Sequence, residues 1–459
     1  MSDQAGATLG PTVSVEREPG VPERAPDEVV PEQALRSDPA TTVRYRAIAW
    51  LSTAGAMAYL CRNALSVAES RIRDDVGLTL SQSGYFMGAF FWTYALFQVP
   101  TGAFSHRFGT RVAMTAFAVM WSAALFATAI SPAFWLLVLA QLLMGIAQAG
   151  FFPASTHSVQ HWMPMSQRSL GGGLLAVGMQ VGAIAASILT GALLGHMSWR
   201  WVFVLFSVPG ILWGAGFNVR FRDRPELVPE ANQAERNLIA AGRPAEQTAE
   251  AKVDTGPTDW GAMLAHPGLW LLHGQQVCRA AGYMFFASWF PTFLQQTRGV
   301  SIADSGNIQG VVFGGALAGS LLGGIVIDWI WRRTGNLWLS RSGIGALALG
   351  TCGLLILGSW FVQDGRLAIG LLAVGVLFAS IAGPAMVATV IDVGGSRVAQ
   401  VLGAVNMTGN FAVALCPILV GKLFEKTANW NLVLVLFAAI YLLGAFCWAF
   451  VNPRRGIFR

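Results

Sequence analysis

The sequence predicts an all-α integral membrane protein in which twelve transmembrane helices form two bundles of six. The first observation is composition, because 54% of the 459 residues are hydrophobic and only 12% are charged. Soluble domains carry about 25% charged residues, so this chain falls in the membrane class. The second observation is a series of twelve apolar segments. The third is a polar connector that divides them into two sets of six.

An α-helix needs about 20 apolar residues to cross the hydrocarbon core of a bilayer. The N-terminal bundle, residues 44–220, has spans near 45–68, 82–104, 112–130, 133–157, 168–194 and 199–220. The C-terminal bundle, residues 264–452, has spans near 266–291, 304–331, 340–361, 367–390, 397–424 and 429–452. Residues 221–263 form the connector, which is rich in Arg, Glu, Pro and Ala.

Both chain ends and the connector are predicted to be cytoplasmic. Residues 1–43 have few large apolar groups and no signal-peptide core, so a disordered tail is expected there, with a second short tail at 453–459. Loops on the connector's side hold more than twice as many Lys and Arg as the other loops, which marks cytoplasmic loops. The net charge of +6 reflects this excess. We expect a multi-pass protein of a bacterial inner membrane. Its partner is expected to be the lipid bilayer and not a nucleic acid.

Cysteine placement argues against a disulfide framework or a metal site. All five cysteines lie in apolar segments, and no pair has the spacing of metal ligands: Cys61, Cys278, Cys352, Cys416 and Cys447. No Ser/His/Asp cluster or phosphate-binding loop is present in the sequence either. We therefore expect no cofactor and no enzymatic activity. We also expect the protein to be a monomer.

Two matching loop signatures follow the second and the eighth span. The glycines and basic residues of the first signature are Gly102, Arg107, Gly109 and Arg111, and the looser second copy has Asp328 and Arg332. Recurrence at matching positions of both halves is more specific than either copy alone. We interpret these residues as a gating motif on the cytoplasmic side. The simpler reading is positively charged cytoplasmic loops.

Two arginines lie inside apolar spans, Arg62 in the first and Arg279 in the seventh. A central arginine costs about 2.5–3.5 kcal/mol on insertion scales, so such residues usually face a bundle interior or an aqueous cavity. Each follows a cysteine at an equivalent position of its half. Guanidinium groups donate paired hydrogen bonds to carboxylate or phosphate. Pairing with a buried acid is the alternative, but Glu69, Asp328 and Asp392 lie near span ends.

Polar and aromatic residues recur at helical spacing beside these arginines and in two other spans, and this spacing places the members of each set on one helix face. They are Tyr59 before Arg62, Gln275 and Tyr283 around Arg279, Tyr85 with Trp92 in span two, and Asn406 with Asn410 in span eleven. Each alone is typical of helix packing. Together they favour a polar cavity between the halves, where secondary transporters bind substrate.

The sequence resembles the anion:cation symporter family of the major facilitator superfamily, which includes bacterial hexonate and hexuronate carriers and animal vesicular glutamate transporters. The resemblance covers 45–452 and depends on 59–68, 84–100, 289–294 and 392–421. It implies a major facilitator fold, alternating access and an organic carboxylate as substrate. It also implies that Arg62, Tyr85, Arg279 and Asn406 or Asn410 line the site, and that the loop signatures form cytoplasmic ion pairs.

The chain departs from this family at the positions that usually carry the coupled proton. Cys61 replaces the usual Asp, and Gln141 and Gln148 replace an Arg and a Glu of span four. Glutamine does not titrate. We include Gln148 among the substrate-binding candidates, and expect anions of charge greater than one. Coupling is then absent or carried by another group, such as His157 or His273.

Two other functions stay open. An organophosphate exchanger also pairs arginines of spans one and seven, but its second arginine lies about one turn closer to Pro291, where this chain has Tyr283. The second open function is that of a transporter-like sensor, which moves no substrate. A proton-driven drug exporter is disfavoured, because it needs the span-four arginine that Gln141 replaces.

Overall fold

The computed structural model describes residues 39–164, 167–240, 265–362, 364–394 and 398–455. Every regular element in these ranges is helical, with no β-strand. The predicted tail before residue 39, connector residues 241–263 and the last four residues lie outside the described residues.

The helices of the first half run α1 Val43–Val76, α2 Leu80–Phe108, α3 Thr110–Ile130, α4 Phe134–Ala149, α5 Phe151–Trp162, α6 Arg168–Leu193 and α7 Trp199–Arg220. The connector contains α8, Gln233–Ala240. The second half has α9 Pro267–Ser288, α10 Phe290–Arg298, α11 Ile302–Thr334, α12 Ile344–Phe361, α13 Gly365–Gly394, α14 Val398–Thr427 and α15 Trp430–Phe450. A π-helical turn, Leu339–Gly343, precedes α12.

These helices correspond to the twelve predicted spans. Nine of the spans, within the part of the chain that the structure describes, are long and apolar enough to cross a membrane by composition alone. The remaining three are α1, α2 and the α9–α10 pair, which contain Arg62, Tyr85 and Arg279 respectively. Arg62, Tyr85 and Arg279 therefore lie on the three most polar spans, whereas Gln148, Asn406 and Asn410 lie on two of the nine apolar ones.

Two of the spans are broken where the sequence analysis predicts one continuous helix. The fourth span divides at Gly150 and the seventh at Trp289. Pro153 and Pro291 lie just after these breaks, and proline cannot donate the hydrogen bond to the carbonyl four residues earlier. A side chain at Gly150 would also collide with the Phe117 ring.

Glycines allow close packing of neighbouring helices in both halves. A Cβ at Gly178 or Gly182 of α6 would collide with backbone carbonyls of α1, at Ser52 and Ala56. At Gly319 of α11 it would collide with the carbonyl of Leu377 in α13. Glycine spacing thus sets the distance between neighbouring helices in both halves.

The first part of the connector contains the helix α8, which docks on the first turn of α1. The buried Glu235 carboxylate accepts hydrogen bonds from the backbone N–H groups of Val43 (3.2 Å) and Arg44 (3.0 Å). It also forms an ion pair with the Arg44 guanidinium at 3.0 Å. Since these groups satisfy the free N–H groups of a helix start, the first part of the connector belongs to the N-terminal half.

Candidate functional site

The side chain of Gln148 positions Arg62. Gln148 lies on α4 and is 1% exposed. Its amide nitrogen donates to the backbone carbonyl of Ala58 at 3.0 Å, and its amide oxygen accepts from Arg62 Nε at 3.1 Å. Donation to a carbonyl fixes the orientation of the amide. Gln148 therefore presents only an acceptor to Arg62, which holds the guanidinium without neutralising it.

Four aromatic rings surround the Arg62 guanidinium. Its central carbon Cζ lies 4.4 Å from the ring centroid of Phe90 and 4.6 Å from that of Tyr59. The rings of Tyr94 and Phe91 lie at 4.8 and 5.9 Å. Cation–π attraction stabilises a cation away from bulk water. The four rings thus hold the Arg62 guanidinium at a half-buried position.

Arg279 has an equivalent arrangement in the second half. Its Nε and Nη2 both donate to Gln276 Oε1, at 3.3 and 3.0 Å. Gln276 itself is nearly buried and packs against Gly409 of α14, where a Cβ would approach the amide nitrogen to 2.7 Å. A neutral glutamine thus orients each of the two arginines, and glycine leaves room for the second one.

Tyr283 lies close enough to Tyr59, Arg62 and Arg279 for their charges to influence its hydroxyl, and its ring centroid lies 6.2 Å from that of Phe313. The structure therefore brings together five of the predicted site residues, from both halves: Tyr59, Arg62, Gln148, Arg279 and Tyr283.

Neither arginine has an acidic partner among the described residues. The ion pairs of this part of the chain involve other groups, namely Arg44 with Glu235, Arg73 with Glu69 and Asp74, Arg200 with Asp75, and Arg341 with Asp392. The two guanidinium groups lie on helices of opposite halves, Arg62 on α1 and Arg279 on α9. Guanidinium groups without an acidic partner attract anions, because they donate charge-assisted hydrogen bonds to carboxylate or phosphate.

A small cavity next to Arg62 is bounded by both halves. Its lining includes Asn63, Ser66 and Gln141 from the first half and Met284 and Ser288 from the second. The cavity volume is about 30 Å³, which is room for roughly two water molecules. A larger organic anion would require the halves to separate.

Tyr85, Asn406 and Asn410 are not part of this cluster. Tyr85 is 40% exposed and lies in an outer groove between α2 and α14, where the Lys422 ammonium sits 5.0 Å from its ring centroid. Trp92 lines the same groove. Asn406 is exposed and Asn410 half-buried. Gln275 is buried and donates to the backbone carbonyl of Leu272.

The sequence analysis did not identify a polar junction between the halves. We call the end of the bundle where α1 begins and α15 ends the tail face, and the end where α1 ends and α2 begins the opposite face. Towards the opposite face, Gln309 Oε1 of α11 accepts from Ser66 of α1 (3.2 Å) and Ser187 of α6 (3.0 Å). Its amide nitrogen donates to the carbonyl of Phe286. These groups are all buried.

Two further bonds join the halves beyond Gln309. The Thr292 hydroxyl donates to Glu69 Oε2 at 2.7 Å, and the Ser70 hydroxyl donates to Gln295 at 2.7 Å. Glu69 is 1% exposed and also pairs with Arg73 at 3.0 Å. These contacts close the opposite face. Single Ser, Thr and Gln residues in apolar helices gave no sequence signal for them.

Asp223, which the sequence analysis did not identify, anchors the first loop signature. Gly109 has φ +83°, which favours glycine, and links α2 to α3. Arg111 N–H donates to Asp223 Oδ1 at 2.8 Å, and Arg111 Nε donates to Asn218 Oδ1 at 3.2 Å. Gly102 faces Pro153, whereas Arg107 is exposed.

The second loop signature does not form an ion pair in the described part of the chain. Asp328 and Arg332 are both exposed at the end of α11. The ion pair at this end joins Arg341 and Asp392 at 2.9 Å instead.

The two candidate histidines lie apart from the arginines. His157 is on α5, 5.5 Å from the His106 ring and 4.5 Å from the His161 ring between centroids. His273 Nδ1 contacts the Thr408 hydroxyl at 2.9 Å. Cys61 is buried, and its sulfur faces the carbonyl of Phe206.

Comparison with known proteins agrees with this architecture. The chain is 25% identical to a probable sulfoacetate transporter of Cupriavidus necator, over 86% of this chain and 91% of that protein. It is 28% identical to a D-galactonate transporter of Escherichia coli O6:H1, over 88% and 94% of the two chains. The inward-open structure of the xylose transporter of E. coli has the same fold, with a TM-score of 0.70 at 13% identity over 89% of this chain and 96% of that chain.

The family model of the Major Facilitator Superfamily matches residues 51–393. This range includes both arginines, the junction at Gln309 and both loop signatures. The two arginines therefore lie in the corresponding helices of a two-half transporter fold. The chain belongs to the Major Facilitator Superfamily of membrane transporters.

Proposed function

We propose that this protein carries a small organic anion across the membrane by alternating access, with Arg62 and Arg279 binding the anion. The observation that supports this most is the pair of half-buried guanidinium groups, one from each half, with neutral glutamines as their side-chain partners. Such groups donate planar, paired hydrogen bonds that match carboxylate oxygens. An anion at this position would join the halves.

The similarity to a D-galactonate transporter supports a carboxylate as the substrate of this protein, and the similarity to a probable sulfoacetate transporter supports a dianion. Galactonate is a monocarboxylate, whereas sulfoacetate bears a sulfonate and a carboxylate. Two arginines with no acid beside them provide one cation for each end of a short dianion. We therefore favour small dianions over monoanions as substrates.

The proposal also covers how transport is driven. Cys61 and Gln148 stand where the family usually has proton-carrying acids. The Cys61 sulfur faces the carbonyl of Phe206, and the Gln148 amide donates to the carbonyl of Ala58. We propose transport that does not depend on a proton at these positions, so exchange or downhill movement is the expected mode. His157 and His273 remain the other candidates for coupling. The proposed location is a bacterial inner membrane, with both termini cytoplasmic and a monomeric carrier.

The test is counterflow with purified protein in liposomes that are preloaded with one unlabelled anion at a time. The panel contains sulfoacetate, an aldarate, an aldonate, a uronate and glycerol phosphate. We expect uptake of labelled dianion to be stimulated most by internal dianions. Stimulation by glycerol phosphate alone would favour the organophosphate exchanger. No stimulation by any organic anion would refute carrier function and leave the sensor.

A further inference from the structure

We infer that the edge of the molecule between α1 and α7 contains a second binding site, which holds the headgroup of an anionic phospholipid. Three arginines from this edge line one shallow depression at the tail face, and we call them the α1/α7 basic site: Arg46, Arg220 and Arg222. This inference is independent of the proposed transport function.

The backbone around the site is held rigidly. The buried indole of Trp162 donates to the carbonyl of Arg222 at 3.0 Å. The Phe221 ring stacks on Phe217 with centroids 4.3 Å apart. Arg222 Nη1 donates to the carbonyls of Val219 (2.8 Å) and Phe221 (2.9 Å) at the end of α7. The backbone of the site and the Arg222 guanidinium are therefore fixed before any ligand binds, while Arg46 and Arg220 are exposed beside them.

The charges of the site have no acidic partner in the described residues. None of its three arginines forms an ion pair there, whereas Arg44, two residues from Arg46, pairs with the buried Glu235. Asp223 is adjacent in sequence, but its carboxylate accepts from the Arg111 N–H on α3. Three like charges around one depression repel, so an anionic group at this point would be attracted by all of them.

The surroundings fit a lipid better than a soluble anion. Below the arginines, α7 exposes apolar side chains, with Val219 69% and Leu212 67% exposed. Trp50 lines the same depression and packs edge-on against Trp213 at 6.0 Å. Tryptophan at a helix end beside basic residues is typical of the headgroup level of a membrane. A phosphodiester can contact the arginines while its acyl chains lie along α7.

The experiment measures thermal unfolding of the full-length protein in detergent with phosphatidylcholine, and then with added phosphatidylglycerol or cardiolipin. We expect anionic lipid to raise the melting temperature of the wild type. The double variant Arg46→Gln/Arg220→Gln should lose most of this rise. The matched control is Arg454→Gln/Arg455→Gln, which removes two exposed arginines that follow α15 and should keep it.

Native mass spectrometry gives a second measurement that does not depend on variant stability. Wild type and control should retain bound phosphatidylglycerol, and the Arg46/Arg220 variant should retain less. Equal loss in the control, or no lipid-dependent rise in the wild type, would overturn the inference. An equal rise with inorganic phosphate would also overturn it, because a free anion would then be the ligand.

Discussion

Arg62 and Arg279 are each oriented by a neutral glutamine rather than by a carboxylate. The Gln148 oxygen lies 3.1 Å from Arg62 Nε, and the Gln276 oxygen lies 3.0 Å from Arg279 Nη2. A carboxylate at either place would form an ion pair and offset the positive charge of the guanidinium, which a glutamine oxygen does not do. The glutamines therefore leave the positive charge available to a substrate.

Gln148→Glu tests this interpretation. The new carboxylate would pair with Arg62 and compete with the anion, so affinity should fall about tenfold at about pH 8, which corresponds to about 1.4 kcal/mol. Protonation at lower pH removes the competing charge, so affinity should recover as the pH falls. The measurement is anion binding as a function of pH.

Gln148→Leu is the control for that experiment, because it removes the hydrogen bond and adds no charge. Its affinity should fall without any new dependence on pH. The interpretation would be contradicted if Gln148→Glu bound the anion with the same pH profile as the wild type. A carboxylate at position 148 would then not compete with the anion for Arg62.

The helices α6 and α11 form one of the contacts between the halves, and their separation depends on glycine. A Cβ at Gly306 of α11 would collide with the Ser187 carbonyl and lie 3.1 Å from Cα of Gly191 in α6. Ser187 also donates to Gln309, one turn further along α11. Closure of the opposite face thus requires both a glycine and a polar junction at the same helix pair.

Gly306→Ala should therefore hinder closure of the opposite face. We expect transport to fall by about tenfold or more, with anion binding changed far less, because close helix approach is lost while the arginines stay in place. Gly314→Ala in the same helix is the control, since a Cβ there meets no atom within 4 Å. A loss of transport of similar size in Gly314→Ala would contradict this role for Gly306.

The sequence predicts part of the molecule because apolar length and buried charge leave direct signals. The twelve spans and the pair Arg62 and Arg279 follow from those signals. The rotation of a helix about its own axis leaves no such signal. The sequence therefore predicts Tyr85 in the site, although its ring faces the groove beside Lys422. The pairing of Gln309 with Ser66 depends on which helices meet, and one sequence does not state that.

At the scale of the whole molecule, the structure is closed at the opposite face by contacts between the halves. The bonds from Gln309, Thr292 and Ser70 all cross from one half to the other. The site at Arg62 and Arg279 lies on the tail side of this junction. Movement of the halves about an anion that both arginines bind would then break one set of contacts and make another.

The most direct test is counterflow of the preferred dianion in liposomes that contain wild-type, Arg62→Lys or Arg279→Lys protein. Each lysine variant keeps the charge and loses the planar, two-pronged donor, so each should lose most of its transport. Loss in both variants, with folding confirmed by unchanged elution and melting behaviour, is the predicted result. Counterflow at the wild-type rate in both variants would contradict anion binding by this arginine pair.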